Sequence, residues 1–256
     1  MRLGVCCSVE QVNVAKDAGC DYFEGTVVNF LKPLEAYDAV KPLLAQVKAA
    51  SLPCEALAVF LPKGLSVTGP AVDMEALRKY ATVAFERAEE IGVKVIVFGS
   101  GGARQIPDGF DREKAYQQMT DICKMFGPLA EKRHITLCIE HLRKTETNMV
   151  NTIAEAMRIV KGTNHPAVQL LVDSYHWAAE GGTAADVETN AAYLKHMHCA
   201  TLVDRRPPLK ALDNSHVVTC IKAAKSKGYN ARVSIEAKFV DFAKELPEAM
   251  EILKGI

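Results

Sequence analysis

What this chain of 256 residues does without narrows the field first. It carries no net charge, because 31 Lys and Arg balance 31 Asp and Glu. That balance supplies neither the basic stripe of a nucleic-acid binder nor a polybasic membrane anchor. No apolar run approaches the ~20 residues of a membrane span. The opening residues, Met1-Arg2-Leu3-Gly4-Val5-Cys6-Cys7, lack the apolar core of a secretory signal, so a cytoplasmic location is the expectation. No C-x-x-C pair occurs among the eight cysteines, which leaves a zinc knuckle or a thioredoxin-like site without support. Cys6, Cys7, Cys138 and Cys199 fall in apolar strand-like runs, and Cys20, Cys123 and Cys220 in helix-like ones. All are expected to be reduced, buried small hydrophobes. No linker, low-complexity tract or shift in composition divides the chain.

The composition is 49% hydrophobic, enough at this length for a sizeable core. Short apolar runs at 3–7, 22–28, 55–61, 93–98, 135–139, 168–172, 196–200 and 233–235 alternate with amphipathic segments at 9–18, 34–50, 73–91, 112–132, 150–160, 184–194, 217–226 and 247–253. Val-, Ile- and Leu-rich runs without polar alternation are what strands buried on both faces require. Eight strand-then-helix units spread over one domain, 1–256, predict an α/β fold, a single (β/α)8 TIM barrel, with an open doubly wound sheet as the alternative. Pro42 and Pro128 predict kinks or breaks in two helices. Gly19, Gly92, Gly162 and Gly228 fall where left-handed helix caps are expected.

Active sites of such barrels form at the carboxyl ends of the strands. Four consecutive runs of the second half end in a group that can bind a cation: Glu140, Asp173, His198 and Glu236. Any one alone reads as a helix cap or a solvated loop residue. Together they are too many for capping, and carboxylates converging on a barrel mouth repel unless a cation compensates. Three carboxylates and one imidazole suit one divalent ion, Mn²⁺ first, with Mg²⁺, Co²⁺ or Zn²⁺ as alternatives. His196 shares a strand face with His198 and is read as a deeper supporting or core residue. His176 is expected to touch substrate rather than metal. His134, His141, His165 and His216 read as surface or structural histidines.

The spacing Glu140-x5-Glu146, the Asp173-x-x-His176 pair, the segment from His198 to Asp204-Arg205 and the terminal Glu236 resemble the xylose-isomerase-like sugar isomerase/epimerase superfamily. The branches most similar are the ketose 3-epimerases (tagatose or psicose epimerase type) and hydroxypyruvate isomerase. The resemblance implies that Glu140, Asp173, His198 and Glu236 are the metal ligands. It also implies that Glu140 and Glu236 are the catalytic acid/base pair, and that Glu146, His176 and Arg205 bind substrate. The implied reaction is isomerisation or epimerisation of a ketose or related α-hydroxycarbonyl through an enediolate. Inosose dehydration or isomerisation and hydroxypyruvate isomerisation are the nearest alternatives. After His198 family members carry a Gly-Glu-Asn-Asp-Arg-Gly-like run, whereas this chain reads Cys199-Ala200-Thr201-Leu202-Val203-Asp204-Arg205-Arg206, so Arg206 competes with Arg205 for the substrate contact.

A phosphodiesterase of the apurinic-endonuclease branch would need further histidines from early strands, and none precedes His134. The expected partner is a small sugar or polyol-derived substrate, not nucleic acid or membrane, with homo-oligomerisation left open. Four further features carry expectations. Residues 99–104 shape a substrate pocket, with Arg104 available to an acidic group. Glu24 is either a pocket residue or a solvated loop residue. Trp177 is read as core, and 65–72 as a lid over the mouth.

Overall fold

Eight short strands close on one another in the computed structural model, which describes residues 1–256. They are β1 (Arg2–Cys6), β2 (Tyr22–Thr26), β3 (Cys54–Ala58), β4 (Val95–Phe98), β5 (Thr136–Glu140), β6 (Val168–Asp173), β7 (Leu194–Cys199) and β8 (Arg232–Ile235). Every neighbouring pair is parallel, and β1 pairs with both β2 and β8, so the sheet has no free edge. Around it run α1 (Val12–Asp17), α2 (Tyr37–Lys48), α3 (Met74–Glu90), α4 (Arg112–Glu131), α5 (Ile153–Thr163), α6 (Ser174–Ala179), α7 (Ala184–Asn190), α8 (Ser215–Ser226) and α9 (Phe242–Lys254). The closed barrel is therefore the architecture, not the open sheet.

The two-residue period of a strand sorts side chains between two cores. Phe23, Ile139, Val172, Met197 and Val233 pack outward in the layer between strands and helices. Tyr22, Ala56, Ala58, Val95, Val97, Cys138 and Leu171 fill the barrel interior. The same alternation puts Glu24, Glu140, Asp173, His196, His198 and Ser234 on the inner face. Pairing between strands then aligns them, with Asp173 beside His198 and His198 beside Ser234.

Several local expectations are corrected. Helices α2 and α4 run on past Pro42 and Pro128, so neither is broken there. Both prolines are exposed, on the outer faces of their helices. Gly19, Gly92 and Gly228 take left-handed φ of 82°, 85° and 84° as helix caps require, but Gly162 lies inside α5 and Asn164 supplies the left-handed cap. Gly162 instead admits a close helix–helix approach, since a Cβ there would sit 3.1 Å from Thr120 Cγ2. Helix α9 begins five residues before Pro247, and the short α6 was not foreseen.

Gly4 shows how tightly the interior is filled. A Cβ at that position would lie 2.5 Å from the fully buried ring of Tyr22. The ring cannot retreat, because its hydroxyl is hydrogen-bonded to Ser234 Oγ at 2.8 Å. Gly4→Ala is expected to destabilise the protein by about 1–3 kcal/mol, the usual cost of overpacking, read as a lower midpoint in urea. An unchanged midpoint would refute this packing account.

Candidate active site

Glu140, Asp173 and His198 project from the carboxyl ends of β5, β6 and β7, and Glu236 follows the last residue of β8. One donor atom from each lies within 4.8 Å of the others. His198 is fully buried, and its Nδ1 is 3.2 Å from both Glu140 Oε1 and Glu236 Oε2. Asp173 divides its labour. Oδ1 accepts the backbone N–H of Tyr175 at 2.8 Å, capping α6, while Oδ2 turns to the cluster, 3.3 Å from Arg205 Nη2.

Positive charge already compensates this crowding. The Arg205 guanidinium bridges Asp173 and Glu236 and lies 5.0 Å from the centre of the Tyr175 ring. Arg206, its competitor in the sequence, pairs with Glu245. Asp204 and Arg205 both hold left-handed φ, 51° and 54°. Non-glycine residues adopt this conformation at a cost, and here Lys238 N–H, donating to Arg205 O at 2.7 Å, helps to hold it.

Burial raises the Glu140 carboxyl to about 7 against the pull of His198, with Glu236 and Asp173 adding to the rise. Burial acts on Glu236 in the same direction, but His198 and Arg205 outweigh it and bring that carboxyl to about 2. The two glutamates thus sit in environments that push their affinities for a proton apart. His176 is held to about 3 by burial, with Arg205 adding to the fall, so its ring is neutral. Its Nδ1 accepts the Arg143 N–H at 3.3 Å, which leaves the ring proton on Nε2. That nitrogen lies 3.4 Å from Asp173 Oδ2 without making a hydrogen bond to it, and can donate to a ligand.

The backbone has been cut to fit Glu140. A Cβ on Gly99 would fall 1.9 Å from Glu140 Oε2. Arg104 Nη1 donates to the backbone carbonyls of Glu140 at 2.7 Å and Phe98 at 3.2 Å, and Nη2 to that of Val150 at 3.4 Å. Arg104 is fully buried, so the expected anion contact is corrected: this guanidinium fastens the ends of β4 and β5 from behind.

Above the acids the mouth opens into two adjoining hollows. One, about 190 Å³, is bounded by Gly99, Ser100, Gly101, Glu146, His176 and Arg205. The other, about 280 Å³, is bounded by Cys6, Cys7, Ser8, Thr26, Asn29 and Phe30, and Ala58 and Glu236 border both.

A family model described as a xylose isomerase-like TIM barrel matches residues 12–256. The chain belongs to that family. It is 25% identical to a D-psicose 3-epimerase of Ruminiclostridium cellulolyticum over 130 residues, 49% of this chain and 41% of that protein. To a D-psicose 3-epimerase of Agrobacterium fabrum it is 27% identical over 142 residues, 53% of this chain and 49% of that protein. The chain thus spans about half the length of these curated relatives, or less. A D-allulose 3-epimerase structure from Methylomonas sp. shares the fold, with a TM-score of 0.83 at 17% identity, covering 100% of this chain and 97% of that one.

Within this xylose isomerase-like barrel, all the expected site residues meet. Glu146 borders the mouth, its Oε1 accepting from Arg143 Nε at 2.8 Å. Glu24 is not a solvated loop residue but lines the floor of the second hollow. It is fully buried, with Oε1 2.9 Å from His198 Nε2 and Oε2 2.8 Å from His196 Nε2. Segment 65–72 is no free lid, because Val67 N–H donates to Ala103 O and Gly69 exchanges two hydrogen bonds with Gln118. Trp177 is core, as expected. Cys6 and Cys7 depart from expectation, being only half-buried at the mouth. His134 is exposed, His165 half-buried and His141 fully buried outside the barrel, and His216 Nε2 contacts Ala200 O at 2.9 Å. Sequence reasoning passed over Val59, which borders the site with a strained φ of 49°, and no signal in the sequence announced it.

The clash at Gly99 involves the end of a flexible side chain, so Gly99→Ala is expected to fold normally. It should nonetheless turn the Glu140 carboxylate aside and weaken Mn²⁺ binding by about 10-fold or more in calorimetric titration. Unchanged affinity would remove Gly99 and the Glu140 position it protects from the account.

Proposed function

We propose that the chain is a divalent-metal-dependent sugar epimerase or isomerase acting on an unphosphorylated ketose or related α-hydroxycarbonyl. The observation that carries this reading is the meeting of Glu140, Asp173, His198 and Glu236 within 4.8 Å. These four would hold the ion, and a set of three carboxylates and one imidazole suits Mn²⁺. The pairing of Asp173 and Glu236 with the Arg205 guanidinium supports a site that favours positive charge. When bound, the ion supplies Lewis-acid stabilisation of charge developing on a carbonyl oxygen.

The rest of the chemistry falls to the chain's own groups. Glu140 and Glu236 come from β5 and the end of β8, three strands apart in the barrel, so a substrate across the mouth can meet both. One carboxylate takes the C–H proton next to the carbonyl, and the other returns a proton. Return to the opposite face of the same carbon inverts it, and return to the neighbouring carbon moves the carbonyl. His176, neutral with a free Nε2–H, donates to a substrate oxygen. Arg205, once released from the acids, and Glu146 at the rim serve the hydroxyls. The D-psicose 3-epimerases among the relatives support the same class of reaction.

The charges around the mouth favour a neutral substrate. No lysine borders either hollow, and Arg205 is the one arginine that does. Arg104 is spent on backbone carbonyls, and Arg143 is paired with Glu146. Four carboxylates, those of Glu24, Glu140, Asp173 and Glu236, face one divalent ion and one guanidinium, which leaves nothing to attract a phosphate. Hydroxypyruvate and inososes begin from the same proton abstraction and are the comparison substrates.

The test is solvent-deuterium incorporation into ketohexoses, a ketose phosphate, hydroxypyruvate and an inosose in the Mn²⁺-supplied enzyme. Exchange is expected with a free ketose and not with its phosphate, and Glu236→Gln should abolish it with the fold intact. Exchange that survives Glu236→Gln would remove that residue as acid or base, and preference for the phosphate would overturn the substrate class.

A further inference from the structure

Beneath the acids, and joined to them through His198, lies a polar network whose other members no step above uses. Glu24, Tyr22, His196, His198 and Ser234 meet inside the barrel, and all are fully buried. Glu24 Oε1 is 2.9 Å from His198 Nε2, and Oε2 is 2.8 Å from His196 Nε2. Ser234 Oγ donates to Oε2 at 2.6 Å and is itself 2.8 Å from Tyr22 Oη. A register shift between β2 and β3 falls immediately before Glu24, the kind of irregularity that re-aims a side chain.

We infer that Glu24 is a positioning residue for the metal centre, fixing the ring orientation and tautomer of His198 so that Nδ1 presents its lone pair to the ion. The inference rests on the metal-centre reading above. An imidazole can ligate through Nδ1 only if its remaining proton is on Nε2. That nitrogen is sealed from water, and Glu24 is its one hydrogen-bond partner. On the other side of the ring, Nδ1 faces Glu140 and Glu236, each at 3.2 Å. The ring is therefore gripped at one end by a carboxylate and aimed at the ligand set by the other. Carboxylate–histidine–metal arrangements hold ligand rings in this way generally. Ser234 and His196 fix Glu24 in turn, so its carboxylate cannot rotate away.

A purely structural Glu24 would affect folding and leave metal affinity alone, which separates the two roles. Mn²⁺ would be titrated calorimetrically into the metal-free full chain, with thermal melting as a check of fold. Ring-nitrogen NMR shifts of His198 in the Zn²⁺-loaded protein would report its tautomer. Glu24→Leu removes the acceptor and is expected to weaken Mn²⁺ binding by about 10- to 100-fold, with His198 no longer held in the Nε2–H form. A folded Glu24→Leu protein with wild-type affinity would overturn the inference while leaving the metal centre in place. If Glu24→Leu does not fold, Glu24→Gln decides through the ring-nitrogen shifts: its amide oxygen still accepts from Nε2, so His198 is expected to stay in the Nε2–H form, and a folded Glu24→Gln protein whose His198 carries its proton on Nδ1 overturns the inference. A wild-type chain that binds no Mn²⁺ is a different result, and it would bring down the metal-centre reading itself.

Discussion

Three carboxylates and an imidazole share a space under 5 Å across, and that crowding organises the molecule. Like charges so close, removed from water, repel strongly and must be answered by positive charge or by a retained proton. The fold supplies partial answers. Burial keeps the Glu140 carboxyl inclined to hold a proton near neutrality. Between Glu24 and the acids His198 is held well into its charged form, burial being outweighed by its carboxylate neighbours. The Arg205 guanidinium spans two of the acids. On the proposed reading each would give way to a divalent ion, because coordinating groups give up their protons and counter-ions on binding.

The surrounding architecture keeps the acids from relaxing apart. Hydrogen-bonded closure of the barrel fixes four strand ends around one mouth, and alternation along each strand aims the chosen side chains inward. Arg104 ties the end of β5 to that of β4 through carbonyl oxygens, Asp173 spends one oxygen on the start of α6, and Gly99 gives up a side chain where Glu140 needs room. Strain gathers at the same rim. Val59, Asp204 and Arg205 all take left-handed backbone angles there, a cost that functional sites commonly carry.

Period and punctuation in the sequence revealed the architecture because a parallel barrel writes itself in uniform apolar runs. The candidate ligands were legible for a related reason: a carboxylate or histidine at the end of a buried run has few structural uses. What stayed hidden depends on contacts between distant segments. Glu24 closed an ordinary strand, and nothing in the linear order placed it against His196 and His198, more than 170 residues away. Arg104 sat in a glycine-rich loop that suggested an exposed cation, but the loop folds it inward under the strand ends. Pro42 and Pro128 suggested an interruption, yet both lie on exposed faces of helices that continue past them. Arg205 and Arg206 were indistinguishable until the left-handed turn sent one to the acids and the other to Glu245.

Anomalous diffraction from crystals grown with Mn²⁺ tests the central idea most directly, since it locates the cation and Arg205 in one experiment. A single peak enclosed by Glu140, Asp173, His198 and Glu236, with the guanidinium withdrawn from Asp173 and Glu236, is the predicted result. No peak between those side chains, with Arg205 still bridging the two acids at saturating Mn²⁺, would contradict it.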